Sequence, residues 1–474
     1  MLDIEPKKVF EFFYELNQIP RGSGNEKHVS DYLVNFAKKR NLDVIQDEEN
    51  NVIIRKPASK GYENSKGVIL QGHMDMVCVK DEDSDHDFDK DPIDMRLDGD
   101  FLKANKTTLG ADDGIAVAYA MAILDGDYKH APLEVLITTS EETGMNGAFA
   151  IKSGMLGGKR LLNIDSEEEG EFLVSCAGGA RFHAYFPIQR EDFDGKALKL
   201  TIRGLTGGHS GGEIIKQRAN SNKLMARLLS AIRKTTQLRL IKLEGGSKDN
   251  AIPSVTKASI VVKDENAAKK ATKDLFELFK SEFAAKEKSM ELEIEDTAAD
   301  KPFTEKLTNQ LTDYLLAVQD GVVKMSEDMD NLVQTSLNTA VIKEANDKII
   351  VVSSVRSSVE SEMDFLLDRM EVTAKAFGAE TYIGSRYPGW EYQKDSELRD
   401  IAKSTYKQVY GKDAVFTAIH AGVECGLLKK VMPDCDMISY GPDMFDVHSP
   451  KERLDVKSAK RVFDYTVKLL ENLK

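Results

Sequence analysis

The sequence predicts an α/β protein with a mostly parallel sheet, interrupted by an inserted α+β domain. Three observations carry this reading. Short apolar runs with strand character alternate with helical stretches through the first part of the chain. The texture changes around Phe186-Pro187, and it returns near Arg386-Tyr387-Pro388-Gly389-Trp390. Strands alternating with helices favour a parallel sheet, whereas the middle segment gives two approximate rounds of strand then helix. The expected division is therefore 1–186 with 386–474 as one domain, and 187–385 as the insert.

Taken in order, Val9, Phe10, Phe13 and Leu16 fall at helical spacing. Ser23-Gly24-Asn25-Glu26 has the capping-box pattern ahead of Val29, Leu33 and Phe36, which continue that spacing. Val68-Ile69-Leu70, Leu133 to Thr138 and Leu161-Leu162-Asn163-Ile164 read as strands, with an Ala-rich helix over 114–124. In the insert, 197–203 and 349–355 are strand-like, while 223–234 and 361–376 are helical. A helix over 458–473 closes the chain. The acidic run Asp81 to Asp87 lacks the glycine turn and distal glutamate of a calcium loop, and is read as surface.

The 474 residues suffice for about two or three domains. An apolar fraction of 41 % and a mean hydropathy of −0.37 describe a folded globular chain. With 65 Lys+Arg against 79 Asp+Glu the net charge is −14, the wrong sign for a nucleic-acid binder. Four cysteines without a CxxC pair exclude a disulfide scaffold. No apolar run is long enough to span a membrane, and the N-terminal residues do not form a signal peptide. A cytoplasmic protein is expected.

The chemistry is carried by where carboxylates and histidines fall. His73 and Asp75, Glu141 and Glu142, and Asp165 each follow an apolar strand-like run. In a parallel sheet such positions share one edge, at the carboxyl ends of the strands. Asp112-Asp113 precedes a helix that could bring it to that edge, and His448 follows the apolar Met437-Ile438. So many carboxylates together repel one another unless cations neutralise them. Two histidines with several carboxylates suit zinc or manganese better than calcium. In a two-metal site one carboxylate bridges the ions, and the pair Glu141-Glu142 divides into one ligand and one general base acting on water.

Five segments then resemble, in order, the dinuclear zinc exopeptidases of the carboxypeptidase G2-like superfamily. They are Gly72-His73-Met74-Asp75, Leu109 to Gly114, Thr139 to Gly144, Asn163-Ile164-Asp165-Ser166 and Val447-His448-Ser449-Pro450. Asp112-Asp113-Gly114, where much of the superfamily has Asp-Asp-Lys-Gly, is similar to the aminoacyl-histidine dipeptidase branch. The resemblance implies a metal-dependent dipeptidase acting on Xaa-His peptides, including β-Ala-His, with broad specificity. A related N-acyl amino acid deacylase or carboxypeptidase is the alternative. It implies two divalent ions, zinc first, with cobalt or manganese as substitutes. His73 and Asp165 would bind one ion, Glu142 and His448 the other, and Asp112 both.

By the same resemblance Glu141 is the general base, and Asp75 orients the His73 ring. The insert would be a lid. In its glycine-rich segment 204–212, His209 would polarise the scissile carbonyl. Asn250 and Arg356 would contact substrate, the arginine gripping a terminal carboxylate. Gly422, in His420-Ala421-Gly422-Val423-Glu424-Cys425, would let substrate approach the backbone. His420 is open between a substrate contact and a core histidine. A large lid would supply His209 within one chain, whereas smaller lids lend it across a homodimer; both arrangements stay open.

Overall fold

The computed structural model describes residues 4–298 and 300–474. They fall into two compact units. Among the described residues, one comprises 4–175, 392–418 and 423–474, and the other 176–391 with 419–422. The boundaries expected at 186/187 and 385/386 lie within or beside the strands Gly178–Pro187 and Glu380–Tyr387, which pair with each other. That pairing draws both whole strands into the second unit.

The first unit is built on an eight-stranded sheet. Its middle is parallel: Leu133–Thr138 pairs with Val68–His73, that strand with Arg160–Asn163, and the last with Asp436–Ser439. Val68–His73 and Arg160–Asn163 are buried at every position, so their apolar residues, Val68-Ile69-Leu70 and Leu161-Leu162, stand consecutively rather than alternating with polar ones. The flanks are antiparallel, with Asp43–Gln46 and Val52–Lys56 on one side. The helix Ala111–Asp125 is buried all round after its first turn, against Val68–His73 and Lys7–Leu16. A small antiparallel sheet of Met95–Asp98, Phe101–Ala104, Met444–Phe445 and Arg453–Asp455 completes the unit.

The second unit is a nine-stranded antiparallel sheet whose core is shared with the helices Ser221–Arg233, Glu265–Glu282, Glu305–Ala317 and Glu360–Ala376. Both expected strand-then-helix rounds are present: Lys196–Arg203 with Ser221–Arg233, and Lys348–Ser357 with Glu360–Ala376. Leu224, Leu228, Leu229 and Ile232 form the buried stripe of the first helix, and Met363, Leu366, Leu367 and Met370 that of the second.

The capping box does not form. Glu26 precedes the helix Lys27–Lys39 in a helical conformation with no side-chain cap; its carboxylate accepts the Gly24 N–H at 2.9 Å rather than that of Ser23, and both members of the motif also bond distant partners. Among the described residues no helix is long and apolar enough to cross a membrane.

Candidate active site

His73 ends its strand, Glu141 and Glu142 follow Leu133–Thr138 through a tight turn, and Asp165 lies just past Arg160–Asn163. These strands run parallel, so the three groups emerge at one sheet edge. Asp112 arrives from the start of Ala111–Asp125, where it and Asp113 depart from helical backbone angles. His448 comes by another route: it sits in the loop between Met444–Phe445 and Arg453–Asp455, in the left-handed region at φ 60°. Ser140, at the Glu141 turn, is also left-handed, at φ 54°. Such non-glycine conformations persist where surrounding contacts enforce them.

Asp112 stands between the two imidazoles. Its Oδ1 lies 3.1 Å from His73 Nε2, and its Oδ2 lies 3.1 Å from His448 Nε2. His73 Nε2 is 3.5 Å from Asp165 Oδ1, and His448 Nε2 is 2.9 Å from Glu142 Oε1. His73, Asp112 and Glu142 offer ligand atoms within 4.8 Å of one another, as do His73, Asp113 and Asp165. All five expected ligands therefore gather. Asp113, placed at this edge with Asp112 by the sequence but given no role there, joins them: it is buried, and its Oδ2 accepts the His73 backbone N–H at 3.1 Å.

Asp75 is fully buried beneath this cluster. It accepts the Ser23 hydroxyl at 2.7 Å and the backbone N–H groups of Glu141 and Glu142 at 3.1 and 3.3 Å. His73 Nδ1 lies 3.1 Å from the Asp75 carbonyl and 3.3 Å from its Oδ1, so the ring is held from behind. Glu26 Oε1 accepts both the N–H and the hydroxyl of Ser140, at 3.1 and 3.0 Å. Ser23 and Glu26, read from sequence as a helix cap, instead brace the turn that carries Glu141.

The electrostatics of the cluster are unbalanced. Burial pushes the Glu141 carboxyl up to about 9, with Asp165, Glu424 and Glu142 adding to the rise and His73 opposing it. Burial likewise lifts Asp165 to about 6. Bonds to Asp112 and Glu142 raise His448 to about 11. Burial opposes protonation of His73, but Asp165, Asp112 and Asp75 hold it well above its ordinary range. Taken alone, these groups can balance their charge only by retaining protons. Divalent cations do the same work on the same donors, and imidazoles with carboxylates are a fitting donor set for zinc. Glu424 extends the acidity into the core. It is fully buried, and it accepts from Gln71 Nε2 at 2.6 Å and Thr138 Oγ1 at 2.7 Å. Its signal lay in the quoted segment 420–425; Glu452, considered below, had none.

The second unit carries the remaining candidates. His209 is exposed in the short strand Gly208–His209, paired with Ala251–Ile252. The Gly212 N–H donates to His209 Nδ1 at 3.2 Å, which leaves the ring proton on Nε2. Burial, then Arg356, keeps this imidazole below its ordinary pKa, hence neutral. Asn250 lies beside it, accepting the Ser210 N–H at 2.8 Å through its carbonyl. His420 is buried, with Nε2 2.7 Å from Ser336 Oγ, and burial followed by Arg356 depresses it to about 3. Arg356 is 4 % exposed and donates to Tyr387 Oη at 3.1 Å. The space over Gly422 is taken by a side chain: a Cβ there would lie 2.6 Å from Tyr387 Cε2.

A parallel-sheet edge bearing clustered carboxylates and imidazoles, in a chain with a separate α+β unit, defines a metal-dependent hydrolase. The chain belongs to peptidase family M20/M25/M40, whose profile matches residues 69–472. It is 38 % identical over 476 residues to the cytosol non-specific dipeptidase of Escherichia coli (strain K12), covering 99 % of this chain and 98 % of the relative. The crystal structure of aminoacylhistidine dipeptidase from Vibrio alginolyticus superimposes with a TM-score of 0.94 at 38 % identity, covering 99 % of this chain and 97 % of that one. Aminopeptidase PepT from Bacillus cereus shares the fold, with a TM-score of 0.57 at 15 % identity and 99 % of both chains covered.

Proposed function

We propose that this chain is a cytoplasmic dipeptidase using two divalent ions, zinc first, on dipeptides with a free C-terminus, Xaa-His peptides among them. The observation that carries the reading is Asp112, whose two oxygens face different histidines at the same distance. His73 and Asp165 would hold one ion, Glu142 and His448 the other, and Asp112 both. When bound, such ions supply Lewis acidity and lower the pKa of water. Glu141 takes the proton of the attacking water and passes it to the leaving amine. Asp75 fixes the turn that presents Glu141. His209, neutral and carrying its proton on Nε2, donates to the scissile carbonyl oxygen as charge develops there. Arg356 receives the C-terminal carboxylate, and Asn250 flanks His209 at the same loop.

The relatives' dipeptidase names and the acid-rich site support this reading. The test is hydrolysis of Ala-His, β-Ala-His and a panel of other dipeptides, against N-acetyl amino acids, with and without a chelator. Chelator-sensitive cleavage of the dipeptides is expected. Preferential turnover of the N-acetyl amino acids would instead make the chain a deacylase.

A further inference from the structure

Arg356, Gly179 and Tyr387 form one rank across three neighbouring strands. In the ladder, Arg356 of Lys348–Ser357 is registered opposite Gly179 of Gly178–Pro187, and Gly179 opposite Tyr387 of Glu380–Tyr387. The middle position has no side chain, and the phenol uses that space to reach Arg356. A Cβ on Gly179 would lie 2.6 Å from Tyr387 Oη and 2.8 Å from Cε1. On the other side, a Cβ on Gly422 would strike the same ring at 2.6 Å. Two glycines thus make the slot in which the ring sits, and its hydroxyl accepts from Arg356 Nη1 at 3.1 Å.

The choice of partner matters because of charge. The neighbouring Arg181 is neutralised by Asp249 and also donates to Ser354 Oγ at 3.1 Å. Arg356 has no carboxylate at ion-pair distance among the described residues, and its buried Nε has no partner. A phenol fixes the guanidinium through one hydrogen bond while leaving its positive charge uncompensated. A carboxylate in the same place would cancel that charge and compete with an anionic ligand.

We propose that Tyr387 is a positioning residue that aims Arg356 at the substrate's C-terminal carboxylate and so determines preference for the free acid. The inference rests on the reading that Arg356 receives that carboxylate. It extends that reading to a residue whose hydroxyl is hydrogen-bonded to that arginine.

The experiment compares kcat/KM for Ala-His and for C-terminally amidated Ala-His in the wild-type, Tyr387→Phe and Arg356→Ala proteins, each loaded with zinc. Tyr387→Phe keeps the ring in its slot and removes only the hydroxyl. It should cut kcat/KM for the free acid by about tenfold or more, through KM, the scale of a lost hydrogen bond to a charged group. The amide should be unaffected. Arg356→Ala should bring acid and amide close together. If Arg356→Ala leaves the preference intact, the carboxylate reading falls and the inference with it. If Arg356→Ala erases the preference and Tyr387→Phe leaves it intact, only the role of Tyr387 is overturned. An equal loss on both substrates in Tyr387→Phe would make the tyrosine structural and also overturn the proposal.

Discussion

Asp75 Oδ1 accepts the backbone N–H of Glu141 at 3.1 Å while standing 3.3 Å from His73 Nδ1. One buried carboxylate thus couples the turn bearing the proposed base to the ring proposed as a metal ligand. Asparagine in its place keeps one acceptor oxygen and turns an amide NH₂ towards one of these groups. Asp75→Asn should lower kcat/KM on Ala-His by about 10–100-fold, the usual effect of losing a partner behind a metal ligand. Steady-state kinetics beside a thermal melt check this. Wild-type kinetics would remove Asp75 from the site.

Glu141 has a different dependence. Its side chain makes no hydrogen bond to the imidazoles, whereas Glu142 lies 2.9 Å from His448. Glu141→Gln should therefore retain bound metal, measured by elemental analysis, while turnover falls about 10²–10⁴-fold. Glu142→Gln should lose metal as well. Equal metal loss in both variants would contradict the division of roles.

Chelation should destabilise the fold as well as stop the reaction. Without cations Asp112, Asp113, Glu141, Glu142 and Asp165 crowd one sheet edge with the buried His73 and the exposed His448. A ligand that binds only the folded state at 100 times its Kd stabilises it by about 2.7 kcal/mol. Melts of chelated and zinc-reloaded protein should differ accordingly. Asp112→Asn should shrink the zinc-induced rise, because one of its two faces no longer offers an anionic oxygen.

The site's outline was legible because strand ends encode an edge. His73, Glu141 and Asp165 each follow a buried apolar run, and parallel pairing brings those ends together. His448 was chosen as the follower of a strand, but the chain reaches it through a small hairpin whose partners lie far away in sequence. The same distance effect misled the capping-box reading. Ser23 and Glu26 fit the local pattern, yet Ser23 donates to Asp75, and Glu26 keeps only the Gly24 N–H nearby while also accepting from Ser140. Gly422 was read as letting substrate approach the backbone, and the Tyr387 ring that occupies the position of a Cβ there had no signal in the local sequence. Local sequence cannot tell these apart, because the competing partner is invisible until the chain folds.

His420 offers a pH test in the second unit. Its folded pKa of about 3 lies below the unfolded value of about 6.5. The folded state therefore binds fewer protons, so stability is complete above the unfolded pKa and is lost as pH falls towards the folded one. Between pH 6.5 and 5 this one group should cost about 2 kcal/mol. Urea midpoints at pH 7 and pH 5 should fall in wild type, and the fall should be smaller in His420→Gln. An identical fall in both would place the acid sensitivity elsewhere.

Glu452 supplies the last prediction. It is 2 % exposed, and it gathers three consecutive amides: Leu109 and Gly110 on Oε2 at 2.7 and 3.1 Å, and Ala111 on Oε1 at 2.8 Å. From the other side, Arg21 donates to the Gly110 carbonyl at 2.6 Å and to the Met74 carbonyl at 3.0 Å. Gly110 is left-handed at φ 70°, and a Cβ there would lie 2.5 Å from Arg21 Nη2. The loop that delivers Asp112 is therefore clamped through its amides and its carbonyl, in register with the backbone beside His73. Glutamine at 452 would keep one oxygen for Leu109 and Gly110 but set an NH₂ against the Ala111 N–H. Each lost charge-assisted bond is worth about 1.5–3 kcal/mol. Glu452→Gln should lower the melting temperature of metal-free protein. It should also weaken zinc binding by about 10–100-fold, the scale of losing a group behind a metal ligand. Excess zinc should then recover much of the activity. Zinc titration by calorimetry separates the two effects: a lower melting point with wild-type zinc affinity would leave Glu452 a role in folding alone.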